Sequence, residues 1–427
     1  MANTGRTFRF TCAEQDVPIV EDLLASQGFS FEDEPFYPLA RKVVDEPFPL
    51  GESLAARFGL VYIQDRSSML PPLTLDPPEG ACVLDMCSAP GSKTSLLSRL
   101  VGREGFVFAS EPSADRLSTL RANLRRTGSA NAATAKAMAQ DLPFPDCSWD
   151  HIQLDPPCSG WGTIDKNPKV MELWSESKTA PLVSLQKTLL EKAAALLKPG
   201  GVVLYSTCTT NIEENERQVA WALETLDLEL EPLAEPEGFV FGRPLVDGMG
   251  GVLRVAEDSD GQGFFLARFR KRAAGCAPTG QGVQKRELPG VRLDLAAMPG
   301  GKGLDLTKLP PGEVYAFNGK PFFLHRRALS MIPGSIRWQG FPLGKVAGKG
   351  AGMKFTPGPL ARVLLPDDPA RAGVDVLDVD DTAVLEQLFT GRSVRFARGG
   401  GSVGLYYRGL PVGWLSRKGE RLLWAGK

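Results

Sequence analysis

At 427 residues, 43% hydrophobic and 23% charged, the chain is too long for one ordinary core and has the composition of a globular protein rather than a disordered one, so roughly two or three domains are expected. Its net charge of −1 points to no class of partner; no apolar run reaches the ~18 residues of a membrane span and MANTGRTFRF lacks the apolar core of a secretory signal, so a cytoplasmic protein with no membrane partner is expected. Seven cysteines with no CxxC pair argue against a disulfide framework and a cysteine-rich zinc site, and the two histidines, His151 and His325, leave little for a histidine-bound metal, so no metal is expected.

In chain order, residues 1–62 read as a small N-terminal α/β module with an accessory or RNA-binding role. Val17 to Leu24 has helical apolar spacing with Gly28 as a stop, and Leu54 to Phe58 forms a short helix before Gly59. From about residue 80 strands alternate with helices. Cys82 to Met86 is a strand, and Pro90 to Leu100 starts and fills a helix. Gly105 to Ala109 is a strand, and Pro112 to Arg126 a helix with Ser113 as a possible cap. Ile152 to Leu154 is a strand, Ala180 to Leu197 a helix ended by Lys198-Pro199-Gly200-Gly201, and Val202 to Tyr205 a strand. Ile212 to Leu226 is a helix and Phe264 to Phe269 a final strand. This order predicts a mostly parallel, doubly wound, Rossmann-like α/β sheet over 63–271, with ligands at the carboxyl edge of its strands.

Residues 272–287 read as a linker. Beyond them, 288–427 is β-rich, with one convincing helix at Thr382 to Phe389 and room for two small modules. Gly340-Phe341-Pro342-Leu343-Gly344 and Gly409-Leu410-Pro411-Val412-Gly413 form a weak echo, which two related hairpins, two small β modules or coincidence would produce. Charge is segregated here. Residues 316–362 carry eight Lys/Arg (Lys320, Arg326, Arg327, Arg337, Lys345, Lys349, Lys354, Arg362) and no acid; residues 392–427 carry eight more against Glu420. Phe317, Phe322, Phe323, Trp338, Phe341, Phe355, Tyr406, Tyr407, Trp414 and Trp424 interleave these bases. Most of the aromatics belong in a core, yet bases for phosphates with aromatic faces for stacking suit RNA.

Three features sit at βα spacing. Asp85-Met86-Cys87-Ser88-Ala89-Pro90-Gly91-Ser92-Lys93-Thr94 joins a strand to a helix with small residues that let backbone approach a ligand, but it is neither a P-loop nor a GxGxxG fingerprint. Glu111 closes the next strand, where an acid can accept from a ribose diol, and Asp141 follows the expected third strand, where it can meet an adenine amine. Each acid could equally be a surface residue at a helix start; the three in order favour a nucleoside cofactor.

Two further segments carry reactive groups. Asp155-Pro156-Pro157-Cys158-Ser159-Gly160 and Ser206-Thr207-Cys208-Thr209-Thr210 follow neighbouring strands, which puts Asp155, Cys158 and Cys208 on one edge. Carbon 5 of cytosine is too weak a nucleophile to attack a methyl sulfonium. A thiolate added at carbon 6 makes it enamine-like, and a second group must then remove the carbon-5 proton. Either cysteine could attack on this reading. Cys12, Cys82, Cys147 and Cys276 read instead as small buried apolar residues.

DMCSAPGSKT, DPPCSG and YSTCT, in that order and preceded by Gln64-Asp65-Arg66-Ser67-Ser68, resemble the Nop2/Sun RNA 5-methylcytosine methyltransferases over roughly residues 48–270. Arg337-Trp338-Gln339-Gly340-Phe341-Pro342-Leu343-Gly344 with Phe355-Thr356-Pro357 is similar to the C-terminal region of bacterial RsmF (YebU)-type enzymes, and Leu410 to Trp424 to their PUA-like RNA-binding module. The resemblance implies a class I fold that binds S-adenosylmethionine (SAM) through Cys87, Ser88, Ala89, Pro90, Gly91, Ser92 and Lys93. In it Glu111 lies at the ribose, Asp141 at the adenine, and Asp155 at both the methionine moiety and the target base. It implies Cys208 as nucleophile, Cys158 as the residue that helps release product, and Lys93 as an assisting group. The expected activity is cytosine-5 methylation of 16S ribosomal RNA or the 30S subunit by a monomer. The same activity on tRNA, or a non-catalytic ribosome assembly factor, are the competing readings.

Overall fold

The computed structural model describes residues 5–164, 176–257, 260–272, 288–348, 352–397 and 399–426. Cys276, Lys349 and the expected linker from 273 to 287 lie outside the described residues.

The N-terminal region is an antiparallel sheet ordered β2-β3-β1-β4, built from β1 (Thr7–Phe10), β2 (Ser30–Asp33), β3 (Ala40–Asp45) and β4 (Val61–Ile63). Helix α1 (Val17–Ser26) buries Val17, Val20, Leu23 and Leu24 against it; Gln27 takes the C-cap place and Gly28 follows at φ +86°. Helix α2 (Leu54–Phe58) is capped at its start by Ser53, whose hydroxyl accepts from the Ala56 N–H, and ends at Gly59 with φ +68°. Gly59 is obligatory there: a Cβ would lie 2.1 Å from the Arg126 carbonyl oxygen.

The next elements are α3 (Arg66–Leu75), β5 (Cys82–Asp85), α4 (Ser92–Leu100), β6 (Phe106–Ser110), α5 (Ala114–Thr127) and β7 (Ala132–Ala135). They are followed by β8 (Trp149–Leu154), α6 (Glu176–Leu196), β9 (Leu197–Thr207), α7 (Glu216–Thr225), β10 (Leu228–Glu231), β11 (Phe241–Gly242), β12 (Leu253–Val255) and β13 (Phe264–Lys271). The central strands β9-β8-β5-β6-β7 are parallel, as the alternating pattern predicts. They are apolar on both faces because both faces are covered. Leu84, Phe108, Ile152 and Val203 pack toward α6 and α7, while Val83, Val107 and Val202 pack toward α4 and α5. Burying each such side chain contributes about 1.5–3 kcal/mol. The parallel pattern stops at the flank: β13 runs antiparallel to β9, and β10 and β12 add antiparallel to β13. The short strands β10, β11 and β12 were not expected from the sequence. Helix α7 also starts later than the apolar spacing predicts, at Glu216 instead of Ile212, because Asn211, Glu214 and Asn215 turn their side chains to other partners.

The C-terminal region contains β14 (Val291–Leu293), β15 (Gly312–Phe317), β16 (Lys320–His325), α8 (Arg326–Met331), β17 (Trp338–Gln339), β18 (Phe341–Pro342), β19 (Gly344–Ala347) and β20 (Lys354–Pro357). It ends with β21 (Val376–Val379), α9 (Thr382–Phe389), β22 (Val394–Arg395), β23 (Val403–Tyr407), β24 (Leu410–Lys418) and β25 (Arg421–Leu423). Its sheets are ordered β14-β15-β16-β18, β19-β20 and β21-β23-β24-β25-β22. The region is anchored twice. Strand β17 extends the central sheet, with Trp338 opposite Ala135 and Gln339 opposite Thr134. The last sheet packs on the N-terminal module, where Phe58 meets Phe389 at 4.6 Å and Trp424 at 5.3 Å between ring centroids.

Three sequence expectations change here. Arg362, counted among RNA-facing bases, is instead a docking residue whose guanidinium donates to the Phe58, Gly59 and Arg126 carbonyls. Cys147 is half-buried at φ +57°, where a small buried apolar residue was expected. The internal echo shifts register. Gly409-Leu410-Pro411 corresponds to Gly319-Lys320-Pro321, because Phe317↔Lys320 and Tyr407↔Leu410 close two hairpins of the same register at Asn318-Gly319 and Arg408-Gly409. Of the aromatics among the bases, Phe323, Phe341, Phe355, Tyr406, Tyr407 and Trp414 are buried, as expected for core residues.

Candidate active site

The loop from Cys87 to Lys93 joins β5 to α4 at the carboxyl edge of the parallel strands. Ser88 is tied at both ends: its N–H donates to the Ser110 carbonyl at 3.1 Å and its hydroxyl to the Asp85 carbonyl at 2.7 Å. The Ala89-Pro90 peptide is cis, and Gly91, at φ +104°, passes so close to α5 that a Cβ would sit 2.8 Å from Leu120 Cδ1. Beneath the loop Asp85 is fully buried, accepts from the Thr94 hydroxyl at 2.7 Å, and has its pKa pushed up to about 6 by burial. Arg9 of the N-terminal sheet is also buried; it donates to the Ser92 carbonyl, the Ser95 hydroxyl and Gln64 Oε1, at 3.1, 2.6 and 2.9 Å. This guanidinium ties the N-terminal module to the start of α4.

A cavity of about 250 Å³ opens beside the loop. Cys87 to Pro90, Ser92, Lys93 and Asp155 line it together with Tyr62, Gln64, Ser68 and Gln262. Lys93 Nζ lies 2.8 Å from Asp155 Oδ2 and 3.2 Å from the Ser68 hydroxyl, and Asp155 Oδ1 accepts from Ser206 at 3.1 Å. The loop supplies small side chains, the helix start supplies free N–H groups, and the cavity supplies room. That set fits the methionine end of SAM.

The two expected nucleoside acids differ. Glu111 directly follows β6 with 1% exposure, so it is no surface acid; it accepts from the Ser113 N–H at 2.9 Å and meets Arg116 at 3.3 Å. Asp141 is exposed at the end of a short turn after β7 and does not line the cavity.

The carboxyl ends of β8 and β9 bring Cys158 and Cys208 together, with their Sγ atoms 3.3 Å apart. Gly162 permits this packing: its N–H donates to the Cys208 carbonyl at 3.1 Å, and a Cβ there would lie 2.3 Å from the Gly263 oxygen. The pair is electrically asymmetric. The Cys158 thiol is pushed well up by its hydrogen bond to Cys208, then by burial and by the nearby Cys208, Asp155 and Glu214. The Cys208 thiol is pulled down, first by accepting from Cys158 and further by Lys93, against burial and Asp155. Cys87, also in the loop, is pushed up by burial.

A buried carboxylate absent from the sequence reading organises both cysteine loops. Glu214 accepts from the Ser159 N–H at 2.9 Å, the Ser159 hydroxyl at 2.5 Å, Gln186 at 2.9 Å and Asn211 at 3.1 Å. Ser159 Oγ and Thr209 Oγ1, from the two loops, lie 2.7 Å apart. Nothing in the spacing of Asn211-Ile212-Glu213-Glu214 marks this role, because it depends on chain segments that meet only in the fold. Among the described residues no cluster of His, Cys, Asp or Glu could hold a metal, and no helix is long and apolar enough to cross a membrane.

Comparison with known proteins places this geometry in a family. The family described as 16S rRNA methyltransferase RsmB/F matches residues 72–270. The chain is similar to the ribosomal RNA small subunit methyltransferase F of Klebsiella pneumoniae (strain 342), 32% identical over 317 residues, covering 72% of this chain and 66% of that one. It is similar also to the protein of that name from Shewanella loihica, 37% identical over 262 residues, covering 59% and 53% of the two chains. The chain thus spans between about half and two thirds of the length of these relatives. Among solved structures, a methyltransferase homolog protein from Pyrococcus horikoshii is 34% identical with a TM-score of 0.54, over 62% of this chain and 86% of that one. The NSun6 structure from Pyrococcus horikoshii, 23% identical with a TM-score of 0.55 over 62% of this chain and 90% of that one, shares the fold. The chain belongs to the RsmB/F family of methyltransferases, as an RsmF-type member of the Nop2/Sun group.

Proposed function

We propose that this protein transfers a methyl group from SAM to carbon 5 of a cytosine in small-subunit ribosomal RNA, acting as a cytoplasmic monomer. The observation that carries the proposal is the Lys93–Asp155 pair lining the cavity beside the Cys87–Lys93 loop, with the touching Cys158 and Cys208 sulfurs within their electrostatic reach.

The cofactor, when bound, supplies an electrophilic methyl group. The loop from Cys87 to Lys93 and Asp155 would hold its methionine end, with Glu111 toward its ribose and Asp141 toward its adenine. Cys208 adds as a thiolate to carbon 6 of the cytosine, which pushes electron density onto carbon 5. The lowered Cys208 pKa supports that assignment, since thiolate fraction sets the rate of attack. Asp155 holds the base at its N3 edge. Lys93 keeps positive charge beside both the Cys208 sulfur and Asp155. The raised pKa of Cys158 suits a group that, once it has released its own proton to solvent, is a strong base; as a thiolate it then takes the carbon-5 proton, and elimination returns the Cys208 thiolate. The N- and C-terminal regions, the latter ending in a PUA-like module, hold the RNA.

The test is transfer of labelled methyl from SAM to 16S rRNA, to 30S subunits and to tRNA, followed by mapping of 5-methylcytosine. Methylation of rRNA or subunits alone is expected. Methylation of tRNA alone would replace the substrate, and transfer to none of them would favour an assembly factor.

A further inference from the structure

Hairpin β15–β16 has two unlike faces. One carries Val314, Ala316 and Phe323 into the core of the C-terminal region. The other carries Tyr315, Phe317 and Phe322, which join none of the buried clusters and are each half-buried. Tyr315 and Phe317, two residues apart on β15, stack at 6.3 Å and 26°, and Phe322 continues the row at 6.1 Å from Phe317. A contiguous row of aromatic faces that keeps part of its surface in solvent marks a place where another molecule binds.

These rings form one wall of a groove of about 940 Å³ at the seam with the catalytic sheet. Trp338, Arg121 and Arg337 also line it. The acid in the lining, Glu313, is neutralised by Arg292 at 3.0 Å, so the groove presents a net positive charge. It also sits level with the cofactor loops: Ala135, opposite Trp338, accepts the Glu111 N–H at 3.2 Å.

We infer that this groove binds unpaired nucleotides of the RNA substrate, with bases stacked on Tyr315, Phe317, Phe322 and Trp338 and phosphates at Arg121 and Arg337. The inference rests on the RNA substrate proposed above. Aromatic faces accept any base, arginines accept phosphate, and paired RNA cannot offer its base faces. Single-stranded RNA is therefore the occupant, not a duplex.

The test uses the full-length protein and a short unpaired RNA oligonucleotide, with binding read by fluorescence anisotropy. Phe317→Ala and Phe322→Ala should each weaken binding about tenfold. Phe317→Leu, which keeps apolar area and removes the ring, should weaken it similarly, while Tyr315→Phe keeps it. SAM affinity and melting temperature serve as folding controls. Full binding by Phe317→Leu, or equal competition by a perfect duplex, would overturn the stacking site. Unchanged RNA affinity with weakened binding to ribosomal protein alone would make the groove a protein-docking surface. Binding is read without methyl transfer, so the outcomes separate: an inactive protein that still needs these rings for RNA sinks only the proposed activity.

Discussion

Cys158 and Cys208, fifty residues apart, lie with their sulfurs 3.3 Å apart, and the two thiols are shifted in opposite directions. The asymmetry has a local cause. The hydrogen bond between the two sulfurs is the largest cause, raising Cys158 and lowering Cys208; Lys93 lowers Cys208 further, and Glu214 adds to the rise at Cys158. The shift directions favour the thiolate on Cys208, with Cys158 then the donor of the shared hydrogen bond.

Trapping with RNA that carries 5-fluorocytidine at the target site checks this division. The wild type should form a covalent adduct stable to SDS. Cys208→Ala should form none and lose methyl transfer. Cys158→Ala should form an adduct with unmodified RNA as well, because elimination stalls without a base. An adduct confined to Cys208→Ala would reverse the roles.

Lys93→Met should raise the Cys208 pKa, because the cation that favours the thiolate is gone. The measurement is the rate of alkylation by iodoacetamide against pH in a variant lacking the other accessible thiols. Its midpoint should move to higher pH, so labelling at neutral pH slows. An unchanged midpoint would mean that Lys93 does not act on Cys208.

Glu214→Gln tests the link between the cysteine loops. The carboxylate offers only acceptors to its donors, and an amide turns an N–H group toward one of them. The substitution should destabilise the fold by about 1–3 kcal/mol. It should lower kcat on the order of 10²-fold through misplaced sulfurs, with SAM affinity retained. Glu214 is a positioning residue, so Glu214→Gln should also raise the pH midpoint of Cys208 alkylation. A drop in stability with full kcat and an unmoved midpoint would leave it a structural role only.

His325 gives a pH prediction for the anchored C-terminal region. It is buried, accepts the Arg327 N–H at 3.1 Å and stacks on Phe106 of the catalytic sheet at 5.5 Å. Burial lowers its pKa from 6.5 to about 4. A depressed pKa contributes stability that is present above the unfolded value and lost as pH falls through the folded one. The melting temperature of the wild type should therefore exceed that of His325→Gln most above pH 6.5, and the gap should narrow toward pH 4. A constant gap would show that the ring does not titrate between the two states.

The central parallel strands, the helices between them and the carboxyl-edge segments were legible because each is local: an apolar run, a cap, a small-residue turn. The helix from Ala114 to Thr127 begins at Ser113 and ends at Gly128 for reasons written in those residues. The β7–β17 pairing, Arg362 beneath Gly59, Arg9 against α4 and Glu214 between the cysteine loops were not legible. Each joins segments whose sequence separation carries no periodicity, and each satisfies a buried polar group that only the assembled fold creates.

By itself the sequence determined the fold class, the edge on which Asp155, Cys158 and Cys208 stand, and the small-residue loop beside them, because strand and turn chemistry is set within a few residues. Only the tertiary structure decided that Cys158 and Cys208 touch, that Lys93 reaches Asp155, and that charge around the two sulfurs is unequal. A thiol's pKa is a property of its neighbours in space, and those neighbours come from the start of α4, the ends of β8 and β9, and the turn before α7.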